Sequence, residues 1–323
     1  MSTADSLLHL TDTDINRLDL DVRSVRGAVH KAFLAYSTGE LQTQPKTSIA
    51  IGPGHAFQSL VAVDAHRGFA ALKWVGMVPP GGAAAVNINA SILLSDTASG
   101  QLRCLLDGRG ATALRTAGMT AVAAQHLARE DSTSIGLVGA GVQAESHLVA
   151  LKDLLPALRT VYIHSGTSPT GERLAERARA LGLEATVTGA RETLSQSDVV
   201  VTTVPIGPGF EPFLEASWIR PGAFVAAVDL ARSWKHEGLR DVDLTVVDEE
   251  AMKHYAKPGN LVPALDHADA TLADLVGQRH AGREDDRQRV MLFSSGSAVA
   301  DLAIAMLIYE RAVSAGIGTR LDA

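Results

Sequence analysis

With only one cysteine, Cys104, in 323 residues, the chain can form neither an internal disulfide nor a thiolate zinc cluster. The neighbours Leu102, Leu105 and Leu106 make that thiol a buried, inert one rather than a nucleophile. Long hydrophobic runs are missing too. The most apolar helix-like stretch, 302–309, falls far short of the ~20 residues that cross a membrane. Met1-Ser-Thr-Ala-Asp5 lacks the basic-then-apolar texture of a secretory leader. A cytoplasmic protein with no membrane attachment is expected. Positive charge is scarce: 29 Lys and Arg against 36 Asp and Glu leave a net −7 and a pI near 5.9. That balance lacks the footprint of a nucleic-acid binder. His147, His236, His254 and His280 are scattered without metal-ligand spacing, so no metal is expected. Asp248-Glu-Glu250 and Asp285-Asp286 read as solvated surface.

What is present is an ordinary globular composition, 46% hydrophobic and 20% charged. Its length corresponds to about two domains at roughly 150 residues each. Ile15, Leu18, Val22, Val25, Val29 and Phe33 recur at threes and fours, predicting helix over 7–36. The texture then shortens into strands at 47–51, 58–63, 69–75, 90–94 and 102–106, separated by turn clusters. An Ala-rich helix follows over 110–129. From Ser134 onward strands (135–138, 160–164, 198–204, 224–229, 244–248) alternate with helices (142–155, 171–181), the pattern of a parallel sheet with crossovers. Two helices are expected after Leu261, the second over 297–315, with an exposed loop at 277–289. The fold class is α/β: a doubly wound parallel-sheet domain (121–302) and an N-terminal α+β domain (1–120, with the C-terminal helix at about 303–323).

Gly139-Ala140-Gly141-Val142-Gln143-Ala144 matches G-x-G-x-x-G/A, directly after a strand and at the start of a helix. Gly139 permits the tight turn, Gly141 lets the backbone approach a pyrophosphate, and Ala144 packs helix on strand. The helix N-terminus offers unsatisfied N–H groups to the anion. An NAD-preferring site places an acid at the end of the second strand. Here 163–170 carries none, while Ser165, Thr167 and Ser168 are phosphate donors and Arg173 follows. NADP is therefore expected, with NAD as the alternative. Thr203 and Val204, closing the strand 198–204, are counted with the cofactor contacts.

Lys73 lies in the apolar strand Phe69-Ala-Ala-Leu-Lys73-Trp-Val-Gly-Met77, and Arg115 on an apolar helix. A buried isolated charge must meet an anion or lose its proton. Together they suit a substrate carboxylate, the guanidinium as a fork and the ammonium as a point charge. The alternatives are a solvated edge lysine and an internal Arg–Asp pair.

On Lys73, the string Leu106-Asp-Gly-Arg-Gly-Ala-Thr-Ala-Leu-Arg115-Thr-Ala, the Gly139–Ala144 loop and Ser294-Ser-Gly296-Ser-Ala-Val-Ala-Asp301, the chain resembles the ornithine cyclodeaminase/mu-crystallin family over nearly its whole length. The resemblance implies a Rossmann domain carrying the cofactor and a homodimer built through the N-terminal substrate domain, with Lys73 and Arg115 at substrate positions. Where the family has an arginine, Gln44-Pro-Lys46 offers Lys46. Cyclodeaminases of the family carry a proton-transferring Asp after the fifth Rossmann strand; Ala231 stands at that position, and Asp229 two residues earlier. The implied activity is an NAD(P)-dependent oxidoreductase on the CH–NH2 group of an amino acid, acting on that amino acid, a 2-oxo acid or a cyclic imine. Lys73 and Asp229 are the candidate proton donors. Asp229 or Asp301 would suit a cationic substrate tail, and a pocket of Trp74, Met77 and Val78 a small apolar or cyclic one; alternatively Asp301 is buried against Arg115 as a structural pair. An ornithine or lysine cyclodeaminase, and a non-catalytic NADP-binding crystallin-like protein, are the competing readings.

Overall fold

The computed structural model describes residues 6–52, 54–78, 88–205, 210–250 and 268–322. The chain divides into two compact units, Met1–Arg115 with Ser297–Ala323, and Thr116–Gly296. Unit one opens with β1 (Ser6–Leu10), α1 (Asp12–Asn16) and α2 (Val22–Thr38). The helix predicted from residue 7 is thus corrected. Leu8 and Leu10 are buried on a strand pairing with a segment about a hundred residues away, a partner that local periodicity cannot register. Thr11 caps α1 through a capping box and Asp21 accepts from Ser24 N–H to start α2. Five longer strands follow β2 (Leu41–Thr43): β3 (Thr47–Gly52), β4 (His55–Asp64), β5 (Phe69–Met77), β6 (Ile88–Asp96) and β7 (Leu102–Asp107). They extend the five predicted stretches by a few residues. Helix α3 (Gly108–Leu127) then runs from unit one into unit two.

Unit two is a doubly wound sheet in which every neighbouring pair is parallel. In chain order it comprises β8 (Ser134–Val138), α4 (Val142–Leu154), β9 (Thr160–His164), α5 (Ser168–Ala180), β10 (Glu184–Val187), α6 (Ala190–Ser195), β11 (Val199–Thr202), β12 (Phe224–Ala227), β13 (Leu244–Val247), β14 (Ala270–Thr271), α7 (Leu272–Val276) and β15 (Val290–Phe293). The spatial order β10-β9-β8-β11-β12-β15-β13-β14 reverses direction between β8 and β11. That reversal is where open α/β sheets bind ligands, outside the carboxyl ends of the strands. Residues 251–267, where part of the first C-terminal helix was expected, lie outside the described residues. The 277–289 stretch forms no helix or strand.

The chain then returns to unit one as α8 (Ala298–Ala315) and β16 (Thr319–Asp322). The completed sheet runs β16-β1-β7-β6-β5-β4-β2, with β3 on β4. Its inner face, with Leu60, Ala71, Ile92 and Leu106, is buried, and the mostly apolar α8 packs on β5. The outer face keeps Trp74 stacked on Phe57 at 5.6 Å, with Trp74 48% exposed. Because side chains alternate along a strand, Trp74 faces away from Lys73. The expected pocket combining it with Met77 is therefore corrected, and Val78 lies past the end of the strand. Cys104 is fully buried, and burial pushes its thiol up to about 12. Among the described residues no helix is long and apolar enough to cross a membrane.

Candidate active site

In unit one, β5 sits between β4 and β6 with Lys73 paired to Leu60 and Ile92, so the ammonium enters an apolar layer and is 3% exposed. Ser297 caps α8 by accepting from Val299 and Ala300 N–H. Asp301 therefore falls in the first turn, where the helix dipole favours a carboxylate. Lys73 Nζ donates to Asp301 Oδ1 at 3.0 Å, and Arg115 Nε lies 3.0 Å from the same oxygen. The Arg115 N–H is not aimed at it, leaving Arg115 Nε and Asp301 Oδ2 buried without hydrogen-bond partners. Burial pulls Lys73 down to about 8, against the Asp301 charge; Arg115 and Lys46 push the same way as burial. Two buried cations share one oxygen of a single buried carboxylate.

Asp301 thus engages both cations at once. Sequence alone had offered it to Arg115 or to a substrate tail, and the direct Lys73–Asp301 bond was missed. The only signal was a lone acid near the start of an apolar helix.

In unit two, β8 is buried along its whole length and ends at Gly139, whose φ is +100°. A Cβ there would meet Thr203 Oγ1 at 2.7 Å and its carbonyl oxygen at 2.9 Å, so only glycine fits. Gly141 caps α4 with no side-chain hydrogen bond, and the space around it is open. Gln143 Oε1 is buried without a partner, Ala144 packs at 1% exposure and Val142 is exposed. A turn of unsatisfied N–H groups beside open space fits a dinucleotide's pyrophosphate. At the end of β9, Ser165 and Thr167 both bond the Thr170 hydroxyl, at 2.6 and 2.7 Å, and Thr167 starts α5 without a side-chain cap. Arg173 stands exposed on α5.

Asp229 is 8% exposed and saturated. It accepts from Thr202 Oγ1 at 2.9 Å, Ser233 Oγ at 2.7 Å and Val204 N–H at 3.3 Å. Burial raises its carboxyl and these bonds oppose the rise. Its geometry is that of a tie between the ends of β11 and β12. Asp248 and Glu249, expected on the solvated surface, are instead buried and corrected here; Asp248 accepts from the hydroxyls of Ser294 and Ser295 and from the N–H groups of Ser295 and Gly296. Four converging donors on a loop can bury an acid that its charged neighbours make look exposed. A cavity of about 510 Å³ lined by Glu215, Lys235, Glu237, Asp241 and Arg289 contains none of these residues.

A Rossmann sheet with a glycine loop at its order reversal, and a second α+β unit with a buried cation cluster, define the class as a two-unit α/β nucleotide-fold protein. The chain belongs to the ornithine cyclodeaminase/mu-crystallin family, whose profile matches residues 9–316. Alanine dehydrogenase of Archaeoglobus fulgidus is 28% identical over 324 residues, spanning 97% of this chain and 98% of its own. Thermococcus litoralis Delta(1)-pyrroline-2-carboxylate reductase, solved in complex with NADH and L-proline, is similar at a TM-score of 0.88 and 28% identity, over 97% of this chain and 100% of that one. An archaeal alanine dehydrogenase dimer with bound NAD gives 0.88 at 25% identity, over 98% and 99%.

Replacing Asp301 with Asn leaves two buried cations without their counter-charge. The Asp301→Asn protein is expected to lose about 3–5 kcal/mol in urea unfolding; a midpoint within error of the parent would show that the triad is not structural.

Proposed function

We propose that this chain is an NAD(P)(H)-dependent oxidoreductase acting on the CH–NH2 group of an α-amino acid or on its imine. In the reductive direction the balance is 2-oxo acid + ammonia + NAD(P)H + H⁺ giving amino acid, NAD(P)⁺ and water, or a cyclic imine taking hydride and proton directly. The observation that carries this reading is the Lys73–Asp301–Arg115 cluster, two buried cations on one carboxylate, suited to a substrate carboxylate. The family relationship supports it.

When bound, the nicotinamide supplies or accepts the hydride. Gly139, Ala140, Gly141, Val142, Gln143 and Ala144 would hold its pyrophosphate, with Thr203 and Val204 alongside. Arg115 and Lys46 bind the substrate carboxylate and fix Cα. Asp301 orients both buried cations. Lys73, with its proton held at about 8, gives that proton to the substrate nitrogen as it is reduced. Asp229, its oxygens already occupied, positions Val204 and takes no proton step. Ala231 is buried and presents only a methyl, which leaves the cyclodeaminase chemistry without its carboxylate.

We assign NADP(H) as the preferred cofactor, on the uncapped start of α5 and the Ser165, Thr167 and Thr170 hydroxyls, with Arg173 following; NAD is the alternative. Ile49 and Trp74, exposed on the outer face of the unit-one sheet, support a homodimer through that unit.

Three outcomes test this reading. Arg115→Ala is expected to raise KM for the oxo acid or imine roughly 10- to 100-fold, the worth of a charged hydrogen bond of about 1.5–3 kcal/mol, with cofactor Kd unchanged; an unchanged KM removes the clamp. Ser165→Asp should lower kcat/KM for NADPH about tenfold or more while sparing NADH; equal loss on both overturns the phosphate site. Lys73 is protonated below its depressed pKa, so reductive kcat/KM should fall as pH rises through about 8; a flat profile from pH 7 to 9.5 removes Lys73 as donor.

A further inference from the structure

Of the buried residues of α4, Ala144, Leu148, Ala150 and Leu151 are aliphatic and His147 is not. Its ring is fully buried. A leucine there would pack the helix without the cost of burying an imidazole. What the ring adds is a pair of directed hydrogen bonds. Nδ1 lies 2.7 Å from the Gln143 carbonyl oxygen and Nε2 lies 3.0 Å from Thr120 Oγ1. A carbonyl only accepts, so Nδ1 carries a proton. In the neutral ring Nε2 is then an acceptor, and the buried Thr120 hydroxyl donates to it. Thr120, Gln143 and His147 all belong to unit two.

Gln143 is the second residue of α4 and part of the glycine loop. Gly141 starts the helix with no side-chain cap, and Glu145 N–H makes the first bond of the turn, to Gly141 O at 3.2 Å. The N–H groups of Val142, Gln143 and Ala144 come before it and have no carbonyl one turn back. They are the donors that a pyrophosphate would meet. The Gln143 carboxamide does not hold this turn, since its Oε1 is buried without a partner. Its carbonyl does, through His147. That carbonyl and the Ala144 N–H are opposite ends of one trans peptide plane. A donor on the oxygen fixes the direction of the N–H, and it polarises the peptide so that the N–H donates more strongly.

We propose that His147 is a positioning residue for the dinucleotide. By donating from Nδ1 to the Gln143 carbonyl, it sets the first turn of α4 in the orientation that receives the pyrophosphate, and Thr120 keeps the ring in the tautomer that can do so. This rests on the dinucleotide site proposed above for the glycine loop. It adds a residue that never touches the cofactor.

The test uses three variants of the full chain. His147→Asn keeps an amide N–H near the place of Nδ1, His147→Gln keeps one near the place of Nε2, and His147→Leu keeps neither. Urea unfolding checks that each is folded, and calorimetry measures Kd for NADP⁺, NAD⁺ and ADP-ribose, which has the pyrophosphate without the nicotinamide. His147→Leu and His147→Gln should weaken all three ligands roughly fivefold or more, with His147→Asn within about twofold of the parent. A ring that only fills space predicts the reverse order, with leucine tolerated best. Parent-like Kd in His147→Leu, equal loss in the Asn and Gln variants, or a loss that spares ADP-ribose overturns the proposal. One readout needs no variant to fold: 15N–1H correlation spectra of the histidine-labelled parent should show a buried ring protonated at Nδ1, and a ring protonated at Nε2 alone overturns the proposal. Failure of the parent to bind any of the three ligands overturns the dinucleotide reading, and this inference with it.

Discussion

The Asp301 carboxylate permits two cations to sit inside unit one. Lys73 and Arg115 are both almost fully buried among aliphatic strands and a helix, where an unpaired charge is untenable. One oxygen serves both, at 3.0 Å each, and the other is left open. The pairing is therefore incomplete by construction. It keeps a surplus of positive charge and unmet polar atoms, the feature on which the proposed carboxylate binding rests. The same arrangement brings a lysine close to neutral pH, since burial outweighs the single carboxylate beside it. One contact thereby links the packing of the sheet to the proton chemistry proposed for it.

Unit two solves a different problem, keeping loops at the carboxyl ends of parallel strands in fixed positions. Two buried acids do this. Asp229 joins β11 to the turn after β12, and Asp248 gathers the Ser294, Ser295 and Gly296 donors at the end of β15. Both are buried and hydrogen-bonded as structural ties, and the proton transfer is proposed for Lys73 instead. His147, fully buried, does similar work by bridging Thr120 on α3 and the Gln143 carbonyl on α4.

Much of this was legible from residue order. The strand-then-glycine-loop-then-helix succession at 134–144 was readable because its three parts are local and each has its own signature. The meander from β3 to β7 was readable for the same reason, being hairpins with period-two patterning. Lys73 and Arg115 stood out because a charge in an apolar run has few explanations. Non-local pairing was invisible: β1 beside β7 and β16, or Asp301 reaching Lys73. Burial of Asp248 was hidden as well, because its donors come from a loop beginning 46 residues on. Side-chain alternation, applied strictly to β5, would have separated Trp74 from Lys73 at the outset.

Unit one is discontinuous, and that has a temporal consequence. Asp301 follows Lys73 by 228 residues, and β16, which flanks β1, comes only after the whole of unit two. On the ribosome, the amino-terminal half emerges with its cations lacking their counter-ion and its sheet missing an edge. The parallel-sheet unit is contiguous in the message, whereas the opening segment stays without its counter-ion and its edge strand until α8 and β16 have been made.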